Sequence, residues 1–80
     1  MHLADICLLK SEEIQLLADS LQPVFVLELT PVAEALIQRE LLHARPSICP
    51  RSNRPCFVLT TTGMGGACVA AWVDHHRRAA

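Results

Sequence analysis

Two segments of the chain repeat apolar residues at the three- to four-residue spacing of an amphipathic helix. In the first, Ser11 is followed by two glutamates, an N-cap pattern in which acidic side chains interact favourably with the helix dipole. Ile14 and Leu17 begin the apolar face, and Pro23 ends the helix because proline disfavours helical geometry in the residue before it. The pattern predicts a helix over residues 11–21.

The second helical segment begins at Thr30-Pro31, which combines a favourable N-cap residue with proline at the first helical position. Apolar residues follow at helical spacing as far as Leu42. Pro46 is the next residue that would stop the helix. We therefore predict a second helix over residues 31–43.

Two runs rich in β-branched and aromatic residues predict strands over residues 24–29 and 56–62. The glycines of the segment 63–66 then predict a tight connection with positive φ values. The segment that follows, residues 67–78, is ambiguous, because its alanines and terminal basic residues favour a helix while its valines and tryptophan favour a hairpin arm. The short glycine-rich connection favours the hairpin arm, so a third strand is predicted over residues 67–73.

These elements predict a single α+β domain over residues 1–80, with two helices packed on a small mixed or antiparallel sheet. An irregular loop is expected over residues 45–55, which contain three prolines and three arginines and have no regular periodicity. Another assignment stays open at the two ends of the chain. A strand over residues 3–9 and a helix over residues 67–78 would give a minimal βαβαβα unit of the α/β class.

The composition is apolar for a chain of 80 residues, with 51% hydrophobic and 19% charged residues. A domain of this size buries only ~60% of the surface of its unfolded chain. Part of the apolar excess is therefore expected to face a second subunit or another protein. No apolar run approaches the ~20 residues of a membrane helix, and no secretory signal is evident, so the expected location is cytoplasmic.

Cysteine and histidine are concentrated between residues 49 and 76, and their side chains are the usual protein ligands of zinc. In a reducing compartment, cysteines are more often free thiols or metal ligands than partners in a disulfide. Two pairs, each separated by six residues, form a candidate structural zinc site: Cys49, Cys56, Cys68 and His75. Spacings of about two to four residues are more usual within such pairs, so free, packed thiols are the other interpretation.

No catalytic constellation and no cofactor-binding motif is evident, so we expect a non-enzymatic protein. The first hypothesis is a regulator or inhibitor that docks on another protein and forms a homodimer. Aromatic and arginine side chains are the expected anchors of that interface: Trp72, Phe57, Arg51 and Arg54. The alternative is a zinc-stabilised module that contacts nucleic acid through the arginines of the 45–55 loop and of the tail, although a net charge of −1 does not favour it.

Overall fold

The computed structural model of the chain describes residues 9–79. Within that range, three helices and three strands follow one another in the order α1 (Ser11–Asp19), β1 (Val24–Val26), α2 (Pro31–Gln38), β2 (Leu42–Ile48), β3 (Pro55–Thr61) and α3 (Gly63–Ala79). The predicted α+β class is confirmed. The assignment left open for residues 3–8 lies outside the described residues.

The first helix starts where the sequence predicted but is capped differently. Ser11 is the first helical residue, and Lys10 takes the N-cap position. The N–H of Lys10 donates to the Glu13 carboxylate at 2.8 Å, so the predicted acidic first turn does cap the helix. The helix ends at Asp19, two residues earlier than the predicted end at residue 21.

The three strands form one antiparallel sheet in the order β1-β3-β2, with β3 in the centre. Leu59 of β3 lies opposite both Val24 of β1 and Ala44 of β2. β1 is shorter than predicted and ends at Val26. Both edges of β3 are occupied by these neighbours, which leaves no edge of that strand for the predicted third strand at residues 67–73.

The second helix is shorter than predicted, because α2 ends at Gln38 and β2 follows shortly after it. The chain leaves the helix through Glu40, whose φ of 61° lies in the left-handed region. The N–H groups of Glu40 and Leu41 donate to the carbonyls of Ile37 and Leu36, both at 3.0 Å, as in a Schellman motif. Leu36 and Leu41 are both buried, so the reversal of the chain also completes the core.

Part of the expected irregular loop is regular structure, because residues 45–48 belong to β2. Pro46 is tolerated there since β2 lies at the edge of the sheet, where a missing N–H need not break a ladder. The turn between β2 and β3 is correspondingly short and spans residues 49–54. The segment is therefore a two-stranded hairpin and not an irregular loop.

The predicted hairpin arm at residues 67–73 is wrong, because this segment is part of α3, as the alternative helix over residues 67–78 expected. The βαβαβα order of that alternative is wrong, because β2 and β3 follow each other without a helix between them and pair directly. Thr62 caps the helix: its Oγ1 accepts from the N–H of Gly65 at 3.0 Å and donates to the Glu40 carbonyl at 2.8 Å. The expected positive φ values are absent from the three glycines, all of which are described. Gly65 is needed for close approach instead, since a Cβ atom there would clash with the Leu41 carbonyl oxygen.

The hydrophobic core lies between the helices and one face of the sheet. Its fully buried side chains come from all three helices, from β2 and β3 and from the residue before β2: Leu17, Leu36, Leu41, Leu42, Leu59 and Cys68. Side chains alternate along a strand, so every second strand residue lies on this side, which we call the core face. The opposite side, the outer face, carries Phe25, Arg45 and Val58, which are aligned across the three strands. None of the helices described is both long and apolar enough to cross a membrane.

Candidate functional site in the β2–β3 hairpin

β2 and β3 form a hairpin. Its ladder is the longer of the two in the sheet, with seven paired residues in each strand. Its turn closes at Cys49, whose N–H donates to the Arg54 carbonyl and whose carbonyl accepts from the N–H of Asn53, both at 2.8 Å. Asn53 has a φ of 56°, a left-handed conformation that asparagine tolerates better than most residues. The turn is therefore a hydrogen-bonded unit with a defined backbone conformation.

Three exposed arginines lie on this hairpin. Arg45 is on the outer face of β2, while Arg51 and Arg54 lie in the turn. At the rise of a strand, Arg45 is roughly 13 Å from the start of the turn. Between residues 41 and 73 the chain has no aspartate or glutamate. The hairpin thus presents positive charge along its length without an acidic residue in the same segment to offset it.

Charge is unevenly distributed along the chain. Residues 1–40 contain seven acidic and two basic residues, whereas residues 41–80 contain five arginines and one aspartate. Exposed acidic side chains lie on α1 and α2, for example Glu12 and Glu34. The net charge of −1 is therefore the balance of an acidic first half and a basic second half, and it does not describe the surface of the hairpin.

Two cysteines meet at the base of the turn. Cys56 lies opposite Ser47, and Cys49 is two residues beyond Ser47, so both thiols are on the outer face. The two thiols are close enough for each to shift the pKa of the other. Cys56 is only 5% exposed, whereas Cys49 is partly accessible. The hairpin therefore holds two thiols as close neighbours, one of them open to small reagents.

The two thiols of this pair differ in acidity. Hydrogen bonds from the Ser52 side chain, and then from the backbone of Ser52 and Arg51, lower the pKa of Cys49 from its usual 9.0 to about 7. Burial raises the pKa of Cys56, and the neighbouring Cys49 raises it further. The pair thus combines an accessible thiol that ionises near neutral pH with a buried thiol that stays protonated.

The four predicted zinc ligands are distributed over two parts of the fold. Cys49 and Cys56 are together on the hairpin, whereas Cys68 is buried in the core on α3 and His75 is exposed on the same helix. Within residues 9–79, no group of three or more histidine, cysteine, aspartate or glutamate side chains could hold a metal ion. Zinc binding stays a prediction, which native mass spectrometry before and after chelation would test.

Three of the four predicted interface residues lie on the hairpin. Arg51 and Arg54 are in the turn, and Phe57 is half-buried on the core face of β3. Trp72 lies on α3, packs against the core and stacks on His76 with ring centroids 3.8 Å apart. Trp72 therefore belongs to the packing of α3, and the hairpin carries the other three.

Neither the proximity of the Cys49 and Cys56 thiols nor the effect of Ser52 on the pKa of Cys49 was predicted from the sequence. The signal that could have revealed them is the pairing of residues 42–48 with β3, which the prolines in and around the turn concealed. Once that register is known, the thiol pair and the positions of the arginines follow from the alternation of side chains. The chain matches no protein-family model, no curated protein and no solved structure.

Proposed function

We propose that the protein binds double-stranded DNA through the β2–β3 hairpin and catalyses no reaction. The observation that carries this proposal is the placement of Arg45, Arg51 and Arg54, all exposed on one hairpin in a segment without acidic residues. Arginine keeps its charge at physiological pH and donates paired hydrogen bonds to phosphate. A reducing, cytoplasmic compartment is part of the proposal, because none of the three described cysteines forms a disulfide.

The shape of the hairpin favours a groove of duplex DNA. Each strand has seven residues, so the ladder is about 20 Å long at a rise of ~3.3 Å per residue. β1 pairs with β3 no further than Phe57, so the turn end of the hairpin, residues 47–56, is a two-stranded ribbon. Such a ribbon fits the major groove of B-form DNA, which is about 12 Å wide. The major groove of duplex RNA is too deep and narrow for such an element. Duplex DNA is therefore the better partner for this shape.

Single-stranded nucleic acid is the less suitable ligand, because it is usually held by several aromatic side chains on which successive bases stack. Phe25 and Phe57 lie on opposite faces of the sheet. Trp72 is half-buried and stacks on His76. The aromatic residues of the described chain thus do not line one path along which bases could stack.

The test compares two triple variants with the same loss of charge. The hairpin variant replaces the three arginines of the proposed site: Arg45→Ala, Arg51→Ala and Arg54→Ala. The control variant removes three exposed basic residues outside the hairpin: Lys10→Ala, Arg39→Ala and Arg77→Ala. Binding to a labelled duplex of about two helical turns is measured by fluorescence anisotropy at a series of salt concentrations.

The dependence of affinity on salt distinguishes the two variants. Each lost phosphate contact reduces the slope of log affinity against log salt by ~0.9. We expect the hairpin variant to lose up to about three such contacts, and the control to keep the slope of the wild type. Equal losses in both variants, no measurable binding to the duplex, or tighter binding to a single strand of the same sequence would contradict the proposal.

A second candidate function is docking through a homodimer, which the apolar residues on the core face of the hairpin favour. Ile48 is 54% exposed, and Phe57, its diagonal neighbour on the same face of the hairpin, is half-buried. Exposed apolar side chains that lie together often mark a contact surface. A second copy of the chain could cover the same residues in a two-fold interface.

Sedimentation velocity tests this candidate with one variant in the patch and one outside it. We expect a dimer for the wild type and for the control Met64→Glu on α3, where Met64 is also exposed. Ile48→Glu should give a monomer, because it places a charge in the shared apolar surface. A monomeric wild type at high micromolar concentration would rule out the homodimer.

A further inference from the structure

We propose that Cys49 and Cys56 form an oxidisable dithiol that closes to a disulfide in the presence of hydrogen peroxide. In the first step the Cys49 thiolate attacks peroxide, the O–O bond breaks, and a sulfenic acid forms with release of hydroxide. In the second step the Cys56 sulfur attacks the Cys49 sulfur, the S–O bond breaks, and the oxygen leaves as water with the Cys56 proton. The two sulfurs together lose one pair of electrons, which one molecule of peroxide accepts.

The register of the hairpin is the first observation behind this inference. Ile48 lies opposite Pro55, and the ladder continues with the hydrogen bond from the Cys49 N–H to the Arg54 carbonyl at 2.8 Å. Cys56 is therefore the diagonal neighbour of Cys49 on the same face of the sheet. Because the two thiols are neighbours on one face of the hairpin, attack of one sulfur on the other needs no unfolding.

The different accessibility of the two thiols assigns their roles. Cys49 is partly exposed and can meet peroxide from solvent, whereas Cys56 is only 5% exposed and can react only with a group already beside it. The turn also donates hydrogen bonds to the Cys49 sulfur from Ser52 and from the backbone of Arg51. Cys68 is fully buried in the core, so it is a poor competitor for the same oxidant.

Closure of the disulfide is expected to move the turn. Diagonal neighbours in a regular antiparallel ladder have Cα atoms ~7–8 Å apart, just above the ~4.4–6.8 Å range of disulfides. Bond formation should therefore draw the turn, with Arg51 and Arg54, towards β3. An effect of this movement on DNA affinity depends on the DNA-binding function proposed above. Formation of the disulfide does not depend on that function.

The experiment uses freshly reduced full-length protein in the presence of a chelator. The protein is treated with a small excess of hydrogen peroxide, blocked with N-ethylmaleimide and digested with trypsin for mass spectrometry. Trypsin cleaves after Arg51, so a disulfide between Cys49 and Cys56 joins two peptides that otherwise separate. We expect the intact chain to lose two hydrogens, and fragmentation of the joined peptides to place the bond on Cys56 and not on Cys68.

Single variants separate the roles of the two thiols. Cys56→Ser should accumulate a sulfenic acid on Cys49 that dimedone traps, and Cys49→Ser should react with peroxide at least about tenfold more slowly. Cys68→Ala is the matched control and should form the disulfide as the wild type does. A bond to a different cysteine, a bond between two chains, or over-oxidation of Cys49 beside a free Cys56 in the wild type would overturn the inference.

Discussion

Replacement of Gly65 by alanine should destabilise the protein, although alanine is the better helix former. Gly65 lies in the first turn of α3, where the helix crosses the segment that joins α2 to β2. A Cβ atom at this position would lie 2.6 Å from Cγ2 of Thr61, 3.1 Å from the carbonyl carbon of Leu41 and closer still to the carbonyl oxygen of Leu41. Backbone atoms cannot rotate away as a flexible side chain can, so α3 itself has to shift.

The size of the effect follows from the contacts that such a shift disturbs. Overpacking in a well-packed site costs about 1–3 kcal/mol. Thr62 ties the start of α3 to the preceding segment, because its N–H donates to the Leu41 carbonyl at 3.1 Å and its Oγ1 donates to the Glu40 carbonyl at 2.8 Å. Weakening both hydrogen bonds costs ~1 kcal/mol each, while alanine gains ~1 kcal/mol of helix propensity. The net loss is about 2–4 kcal/mol, which for a domain of this size lowers Tm by roughly 10–20 °C.

The neighbouring glycines provide matched controls for this prediction. A Cβ atom at Gly66 would make only an ordinary contact, 3.9 Å from Cδ2 of Leu21, and one at Gly63 would have nothing within 4 Å. Gly66→Ala should therefore stabilise the protein by about 1 kcal/mol, and Gly63→Ala should be neutral or slightly stabilising. Thermal and urea unfolding followed by circular dichroism measure all three. Wild-type stability in Gly65→Ala, or an equal loss in Gly66→Ala, would refute the close-approach explanation.

Three further predictions concern single side chains. Glu40→Gly should raise the free energy of unfolding by about 1 kcal/mol, because glycine has no Cβ to strain at a φ of 61°; no gain in a urea titration would count against the left-handed helix end. Ser20→Ala should be neutral or stabilising by up to ~1 kcal/mol, because among the described residues the buried Ser20 Oγ has no hydrogen-bond partner; a clear loss of stability would reveal one. Ser52→Ala should raise the pKa of Cys49 from about 7 towards 9.0, because it removes the hydrogen bond that lowers this pKa most. Since the thiolate forms as pH rises through the pKa, the alkylation of Cys49 by iodoacetamide should then need a higher pH for half its maximal rate, and an unchanged pH profile would contradict the role of Ser52.

Sequence patterns of a few adjacent residues were sufficient to predict part of the fold. Thr30 was predicted to cap α2, and its Oγ1 does accept from the N–H of Ala33 at 3.2 Å. β3 was predicted within one residue at each end, because its β-branched and aromatic run fits the buried centre of a sheet. These elements could be predicted because both the preference and the group that satisfies it are adjacent in sequence.

The candidate site could be predicted only in part from the sequence. The clustering of arginines near residue 50 and the concentration of cysteines were evident. Their arrangement was not, because it depends on the pairing of β2 with β3, and three prolines in residues 45–55 made that segment appear irregular. Local propensity cannot indicate that Pro46 lies on an edge strand, where proline is tolerated, since edge and centre are properties of the whole sheet.

The sequence by itself determined the α+β class, the start of α1 and α2, the strands β1 and β3, and a basic second half of the chain. The tertiary structure determined the secondary structure of residues 39–48 and 62–79. The first segment could continue a helix, but burial of Leu41 and Leu42 and pairing with β3 make it a strand. Residues 62–79 could form a helix or a strand, but both edges of β3 are already paired and Thr62 caps a helix. In both segments local preferences are nearly balanced, so contacts between residues distant in sequence determine the outcome.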